Sequence, residues 1–133
     1  NDSMGPFVAA EVAKLMIKNA IEVRDAEVLV LGITFKENCS DVRNTKAVDV
    51  VNELTDFGTK VTIYDPCANP EELKEEYNLV SQKTLPKKKF DAIVLTVSHK
   101  EFENLDLKAL KKEHTVVYDV KNFFNSKEVN KTL

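Results

Sequence analysis

Glycine is scarce in this chain, with three among 133 residues, and proline, cysteine and histidine are nearly as rare at four, two and two. Neither G-x-G-x-x-G nor G-x-x-x-x-G-K-[ST] occurs, so the standard dinucleotide fingerprint and the P-loop are both excluded. Cys39 and Cys67 have no C-x-x-C spacing and no histidine beside them, which speaks against a zinc site and against a disulfide framework. Ordinary reduced thiols are expected. Positive charge is not in excess either. The net charge of -3 argues against bulk nucleic-acid binding, because neutralising phosphates needs a basic surface, so any basic site must be local. No apolar run is long enough to cross a bilayer, and the N-terminus lacks the basic-then-apolar layout of a signal peptide. The expected partners therefore include neither nucleic acid nor membrane, and the expected location is the cytoplasm. Repeats and low-complexity tracts are missing, and the one run of like charge, Lys87 to Lys89, reads as a solvated turn.

What is there is the material of one globular domain: 43% hydrophobic and 31% charged residues, enough to bury a single core. The opening stretch offers Asp2 and Ser3 as helix caps and Pro6 in the first turn, followed by helix formers to about Val23. Its apolar residues Val8, Val12 and Leu15, with Ala9, Ala13, Met16, Ile17 and Ala20, cover more than the one stripe a surface helix needs. Such a helix wants two partners. It also begins without a lead-in loop, as though taken from a longer protein.

After Arg24 and Asp25 the period changes. "EVLVLGI" is a continuous apolar run suited to a parallel strand covered on both faces. Residues 47, 50, 51, 54 and 57 then return to helical spacing, with Asn44 or Thr45 as cap and Gly58 as stop. "KVTIYD" (60–65) is a second strand, "CANPEELKEEYN" holds a short helix capped by Asn69, "FDAIVLTV" (90–97) is a third strand, "NLDLKALKK" a helical turn or two, and "TVVYDV" (115–120) a fourth strand. The alternation predicts an α/β fold, a Rossmann-like doubly wound parallel sheet of at least four strands with helices on both faces. Ligands of such sheets sit beyond the carboxyl ends of the strands. On that edge fall the loop "GITFKENCSDVRNTK" (32–46), Asp65 and Pro66, Ser98 and His99, and Lys121 and Asn122.

The 32–46 loop carries Lys36 and Arg43 on either side of Asp41, just ahead of a helix N-terminus. A point charge, a bidentate fork and a helix end together suit phosphate oxygens. The alternative is an exposed ion pair between Asp41 and one of the cations, which contributes little, and the residues alone do not choose between the two. His99 lies at the ligand edge, within reach of a substrate, although a lone loop histidine reads more plainly as polar surface; His114 suggests nothing, and Phe102, Phe123 and Phe124 read as cover for the sheet ends.

"VLGITFKENCSDVRNTKAVDVVNEL", followed by "VTIYDP" and "YDVKN", resembles the C-terminal domain of the UDP-glucose/GDP-mannose dehydrogenase family, and "NDSMGPFVA" resembles the far end of that family's long central helix. The "NCxDxRNT" wording is most like the branch acting on UDP-N-acetylhexosamines, although that branch commonly has proline where this chain has Ser40. The resemblance implies that residues 1–24 end a connecting and dimerisation helix, giving a homodimer, and that residues 25–133 form a UDP-sugar-binding domain. It implies that Phe35 and Lys36 contact the UDP-sugar substrate and that Arg43 reaches the cofactor NAD, bound mainly by another domain. Lys121 falls where the family often has a substrate-binding arginine. Asp41 is then expected to hold Lys36 or Arg43 in place, and Asp65 to be structural.

The implied reaction is a two-step, NAD-dependent oxidation of a sugar C6 alcohol to a carboxylate, through a cysteine nucleophile. Neither Cys39 nor Cys67 has the glycine-rich, histidine-flanked surroundings of that cysteine. The expectation is a C-terminal fragment of an enzyme, inactive alone and without catalytic residues of its own. Two alternatives stand beside it: a nucleotide-binding or regulatory module without chemistry, and the GDP-mannose branch of the same family.

Overall fold

The run Glu27–Leu31 forms strand β1, and all of it beyond Glu27 is buried. A period of two divides it between two cores: Val28 and Val30 face one side of the sheet, Leu29 and Leu31 the other. In the computed structural model, which describes residues 4–133, five more strands join it. They are β2 (Lys60–Tyr64), β3 (Ser81–Gln82), β4 (Phe90–Leu95), β5 (Lys111–Asp119) and β6 (Lys131–Thr132). The spatial order is β3-β2-β1-β4-β5-β6, and every neighbouring pair is parallel. This is the doubly wound order, with its reversal between β1 and β4. The four strands expected from the sequence are all present. The additions, β3 and β6, are two-residue edge strands, too short for any periodicity to show.

Helix α1 (Met4–Lys18) stops five residues short of the expected Val23. Asn19 donates its side-chain amide to the Leu15 carbonyl at 2.8 Å, Ala20 turns left-handed with φ 61°, and the Ile21 N–H returns to the Met16 carbonyl at 2.9 Å. Bonds of this kind close a helix by satisfying its last carbonyls. Alanine ordinarily continues a helix, which is why the stop was not legible. The caps read at Asp2 and Ser3 lie outside the described residues.

Helix α2 (Ala47–Asp56) begins where the spacing placed it, but its N-cap is Lys46, which makes no side-chain cap bond, rather than Asn44 or Thr45; the Thr45 hydroxyl, one residue earlier, accepts the Ala47 N–H at 3.2 Å. It ends through Phe57 at Gly58, whose φ is 95°. Helix α3 (Pro70–Tyr77) has the expected Asn69 cap, whose side-chain oxygen accepts the N–H groups of Glu71 and Glu72.

All three helices pack on the Val28/Val30 side, supplying Val8, Val12 and Met16, then Val51 and Leu54, then Leu73. Burying each such side chain contributes about 1.5–3 kcal/mol. The opposite face departs from the expectation of helices on both sides. It is covered by 3-10 turns at Lys100–Asn104 and Leu107–Leu110, which bring Phe102, Leu107 and Leu110 onto Leu29, Leu31 and Ile93. Phe123 and Phe124 pack at the margin of this second core, as expected of sheet-end cover. Helices α1 and α2 approach closely, because a Cβ at Gly5 would lie 2.6 Å from the Asp49 Cβ. On the side of α1 away from the sheet, Phe7 and Ile17 remain exposed.

Candidate functional site

The 32–46 loop leaves β1 at the switch point of the sheet and is held from several sides. Asp65, at the end of β2 and fully buried, accepts the Ile33 N–H at 2.7 Å through Oδ2, and the N–H groups of Cys67 and Ala68 at 2.7 and 2.9 Å through Oδ1. The Thr34 hydroxyl donates to the Lys36 carbonyl at 2.9 Å, and the Thr45 hydroxyl donates to the Thr34 carbonyl at 3.0 Å. The Tyr77 hydroxyl, from α3, donates to the Val42 carbonyl at 2.7 Å. The crest of the loop is thereby fixed while its side chains stay free to meet a ligand: Phe35 is 55% exposed, and Lys36 is exposed beside it.

Three of the four residues expected to bind ligand come together. Phe35, Lys36 and Lys121 line one cleft of about 210 Å³, with Lys46 at the start of α2 and Thr96 and Val97 beyond β4. The cleft opens at the carboxyl ends of β1, β4 and β5, on the reversal of strand order. Its three lysines and the adjacent N-terminus of α2 give it the character of an anion site. Lys46 is not among the site residues expected from the sequence, though its place at a helix end is a usable signal. Complete small-molecule sites have volumes of about 300–1,000 Å³, so this cleft would hold part of a large ligand and leave the rest to another surface. Larger depressions of about 390 Å³ occur, one of them around Arg24, Asp91, Lys112 and His114. That one lies at the amino ends of the strands, away from every loop of the switch point, and mixes charges that pair among themselves, such as Lys112 with Asp91 at 3.1 Å.

Arg43 does not line that cleft but an adjoining depression of about 290 Å³, which it shares with Phe35, Asp41 and Asn44, the first and last of them common to both. Its guanidinium makes a bidentate pair with Asp41, Nε to Oδ1 and Nη2 to Oδ2, both at 3.0 Å, and Asp41 Oδ1 also accepts the Arg43 N–H at 2.9 Å. These contacts hold the Asp41 carboxyl below and the Arg43 guanidinium above their ordinary values. Asp41 thus has the holding role expected of it, toward Arg43. Arg43 also borders an acidic depression with Glu72, Glu75 and Glu76, an environment less inviting to an anion than the lysine cleft.

His99 requires a correction. It was read as polar surface, but it is fully buried. Its Nδ1 accepts the backbone N–H of Asn38 at 2.9 Å, so the ring proton is on Nε2, which faces Asp65 Oδ2 at 3.0 Å and the Thr34 hydroxyl oxygen at 3.3 Å. Burial raises the Asp65 carboxyl, and the hydrogen bonds from His99, Ile33 and Ala68 more than offset this, leaving it below its ordinary value. Asp65 is structural, as expected, and His99 shares that buried role. His114 is exposed.

Asp65, Cys67 and His99 are close enough together to suggest a cation site. Both His99 nitrogens and both Asp65 oxygens are already engaged within the protein, which leaves no set of free donors. Cys67 is no activated nucleophile: burial and the neighbouring Glu101 carboxylate push its thiol up to about 11. Among the described residues no helix is long and apolar enough to cross a membrane.

Comparison with known proteins adds an independent line. Residues 29–126 match the UDP binding domain of the UDP-glucose/GDP-mannose dehydrogenase family. The chain is 41% identical over 124 residues to a UDP-N-acetyl-D-glucosamine 6-dehydrogenase of Salmonella typhi, covering 91% of the chain and 29% of that protein. It is 40% identical to Protein CapL of Staphylococcus aureus, covering 98% and 31%. Among solved structures it resembles the UDP-N-acetyl-mannosamine dehydrogenase of Staphylococcus aureus, with 25% identity, a TM-score of 0.75 and coverage of 99% of this chain and 31% of that one. A Methanosarcina mazei NDP-N-acetyl-D-galactosaminuronic acid dehydrogenase shares the fold at TM-score 0.84 and 21% identity, over 96% of this chain and 27% of the other. The chain thus spans less than a third of the length of these relatives.

Proposed function

Because the chain belongs to the UDP-glucose/GDP-mannose dehydrogenase family as its UDP binding domain, we propose that it is the C-terminal, nucleotide-sugar-binding part of an NAD-dependent UDP-sugar 6-dehydrogenase. The sugar is a UDP-N-acetylhexosamine, oxidised at its C6 alcohol to a carboxylate. The observation that carries this reading is the cleft at the β1/β4 switch point, where Lys36, Lys46 and Lys121 converge beside the start of α2. The lysines neutralise the diphosphate, and the exposed Phe35 ring covers an apolar part of the ligand. The branch assignment rests on the 41% identity to a UDP-N-acetyl-D-glucosamine 6-dehydrogenase, against 33% for a UDP-glucose 6-dehydrogenase of Rhizobium meliloti.

In this reading residues 1–24 end a connecting helix and residues 25–133 form the domain. The exposed Phe7 and Ile17 of α1 belong to a homodimer interface, and the enzyme works in the cytoplasm. When bound, NAD supplies the hydride acceptor. The fit of this chain to that group is narrow, since β1 is followed by the long 32–46 loop rather than a tight glycine turn. A single contact, from Arg43, is what the chain offers. Its pair with Asp41 is exposed to water and therefore exchangeable. The nucleophilic cysteine belongs to another part of the enzyme.

The test is NADH formation by the longer enzyme, offered UDP-N-acetylglucosamine, UDP-N-acetylgalactosamine, UDP-glucose and GDP-mannose in parallel. Turnover of an N-acetylhexosamine substrate is expected. Exclusive turnover of GDP-mannose would contradict the branch, and no turnover from a folded enzyme would contradict the reading. In the same enzyme Lys36→Ala is expected to raise the KM for the nucleotide sugar about tenfold, since a charge-assisted bond contributes about 1.5–3 kcal/mol. Arg43→Ala is expected to act on the KM for NAD instead. A sugar term that moved with Arg43→Ala alone would reverse this division of labour.

A further inference from the structure

The loop that carries Phe35 and Lys36 has no regular secondary structure over residues 33–46 apart from turns, yet its crest is tied to one buried ring. His99 lies beyond β4, on the other side of the switch point from β1, and is packed against Phe102 with ring centroids 5.5 Å apart. Its Nδ1 takes the Asn38 N–H, two residues past Lys36. Its Nε2 faces Asp65 Oδ2, the same oxygen that takes the Ile33 N–H, three residues before Lys36. The Thr34 hydroxyl within reach of Nε2 fixes the Lys36 carbonyl itself. Asn38 completes the tie through its side chain, whose oxygen accepts the Lys100 N–H at 2.8 Å, next to His99 in the chain. Asn38 holds a left-handed backbone with φ 58°, a conformation that persists where surrounding bonds enforce it.

We propose that His99 is a positioning residue for nucleotide-sugar binding, the buried latch that sets the backbone of residues 33–38 and so aims Lys36 into the cleft. It touches no ligand. The Nδ1 acceptor is the element that matters: without it the Asn38 N–H has no partner at the latch, and the stretch around Lys36 is free to take other conformations. A ligand then meets a loop that is in the binding arrangement only part of the time, and apparent affinity falls by that fraction. The inference rests on the reading of the cleft as a diphosphate site.

Three substitutions separate the two ring nitrogens. His99→Asn keeps an oxygen acceptor near the Nδ1 position, His99→Gln reaches toward Asp65 but loses that acceptor, and His99→Phe loses both. The measurement is the Kd of the longer enzyme for UDP by titration calorimetry, with Tm and amide exchange at Asn38 followed alongside. Wild type and His99→Asn are expected to bind UDP alike and to protect the Asn38 amide. His99→Gln is expected to bind about tenfold more weakly with that amide unprotected, and Lys36→Ala is expected to cost about tenfold in wild type but under threefold in the His99→Gln background, the signature of coupled residues. If His99→Phe does not fold, the Asn and Gln pair still decides. UDP binding that Lys36→Ala weakens but His99→Gln leaves unchanged overturns this inference alone, as does equal weakening by Asn and Gln that follows their Tm values. A folded wild-type enzyme that binds no UDP overturns both the inference and the reading of the cleft.

Discussion

Replacing Asp65 by asparagine is expected to destabilise the domain by about 3–5 kcal/mol, the range for breaking a buried, hydrogen-bonded charge site from one side. Asp65 accepts four bonds and donates none: Ile33 and His99 at Oδ2, Cys67 and Ala68 at Oδ1. An asparagine amide must turn its NH2 toward one of these pairs and so set donor against donor in a site with no exposure to water. Urea denaturation of the two proteins at neutral pH measures the difference, and a loss below about 1 kcal/mol would mean that the network is not a stabilising one.

The same carboxylate gives wild type a pH dependence of definite sign. Its folded pKa lies below the ordinary value of 3.8. The stability it contributes is therefore complete above about pH 4 and is lost as pH falls through the lower folded value. Asp65→Asn is expected to flatten that part of the acid limb, and an acid limb of unchanged steepness would assign it to other carboxylates.

The long periodic stretches were legible because their burial is uniform. β1, β2 and β4 keep the bounds of their apolar runs to within two residues, and the α3 cap was readable because Asn followed by Pro has a single common use at a helix start. The features that escaped depend on contacts distant in sequence. β3 and β6 exist only through pairing with a neighbour, β3 with β2 and β6 with β5. The early end of α1 depends on a left-handed alanine that no propensity favours. On the second face the helical turn or two read from "NLDLKALKK" is present as the 3-10 turn Leu107–Leu110, and what escaped is the turn before it, Lys100–Asn104, which carries the buried Phe102.

The site divides the same way. Phe35, Lys36 and Lys121 were found because a motif and a strand-end rule pointed to one edge of the sheet, and they line one cleft. Arg43, which the resemblance assigns to the cofactor rather than to the sugar, lies beside the cleft in a depression it shares with Phe35 and Asn44, its guanidinium paired with Asp41. His99 was misread because a histidine in a loop gives no sign of burial. Its partners, Asp65 and Asn38, lie 34 and 61 positions away, and only the fold brings them to it.

Gly32→Ala is expected to be comparably damaging, at about 2–5 kcal/mol, and it reaches the site as well as the fold. Gly32 turns the chain out of β1 with φ 93°, a region that costs a residue with a Cβ about 1–2 kcal/mol. The space is closed too: a Cβ would lie 2.6 Å from the Val97 Cβ and 2.8 and 2.9 Å from the Val97 carbonyl oxygen and nitrogen. Two of those atoms are backbone, held by the bond from the Val97 N–H to the Leu31 carbonyl at 3.3 Å, so relief requires β1 and β4 to part at their carboxyl ends. Overpacking of this kind adds about 1–3 kcal/mol. Gly58 supplies the control, because its φ of 95° is nearly the same while its nearest neighbour would be the Arg24 Cα at 3.8 Å. Gly58→Ala should therefore show the backbone cost alone, about 1–2 kcal/mol. Equal losses for the two alanines in urea denaturation would contradict the contact argument. The excess at Gly32 should also appear in ligand binding, since Val97 lines the cleft. UDP affinity is expected to fall with Gly32→Ala and to stay unchanged with Gly58→Ala, because the turn after β1 that lets two strands meet closely also sets the width of the site between them.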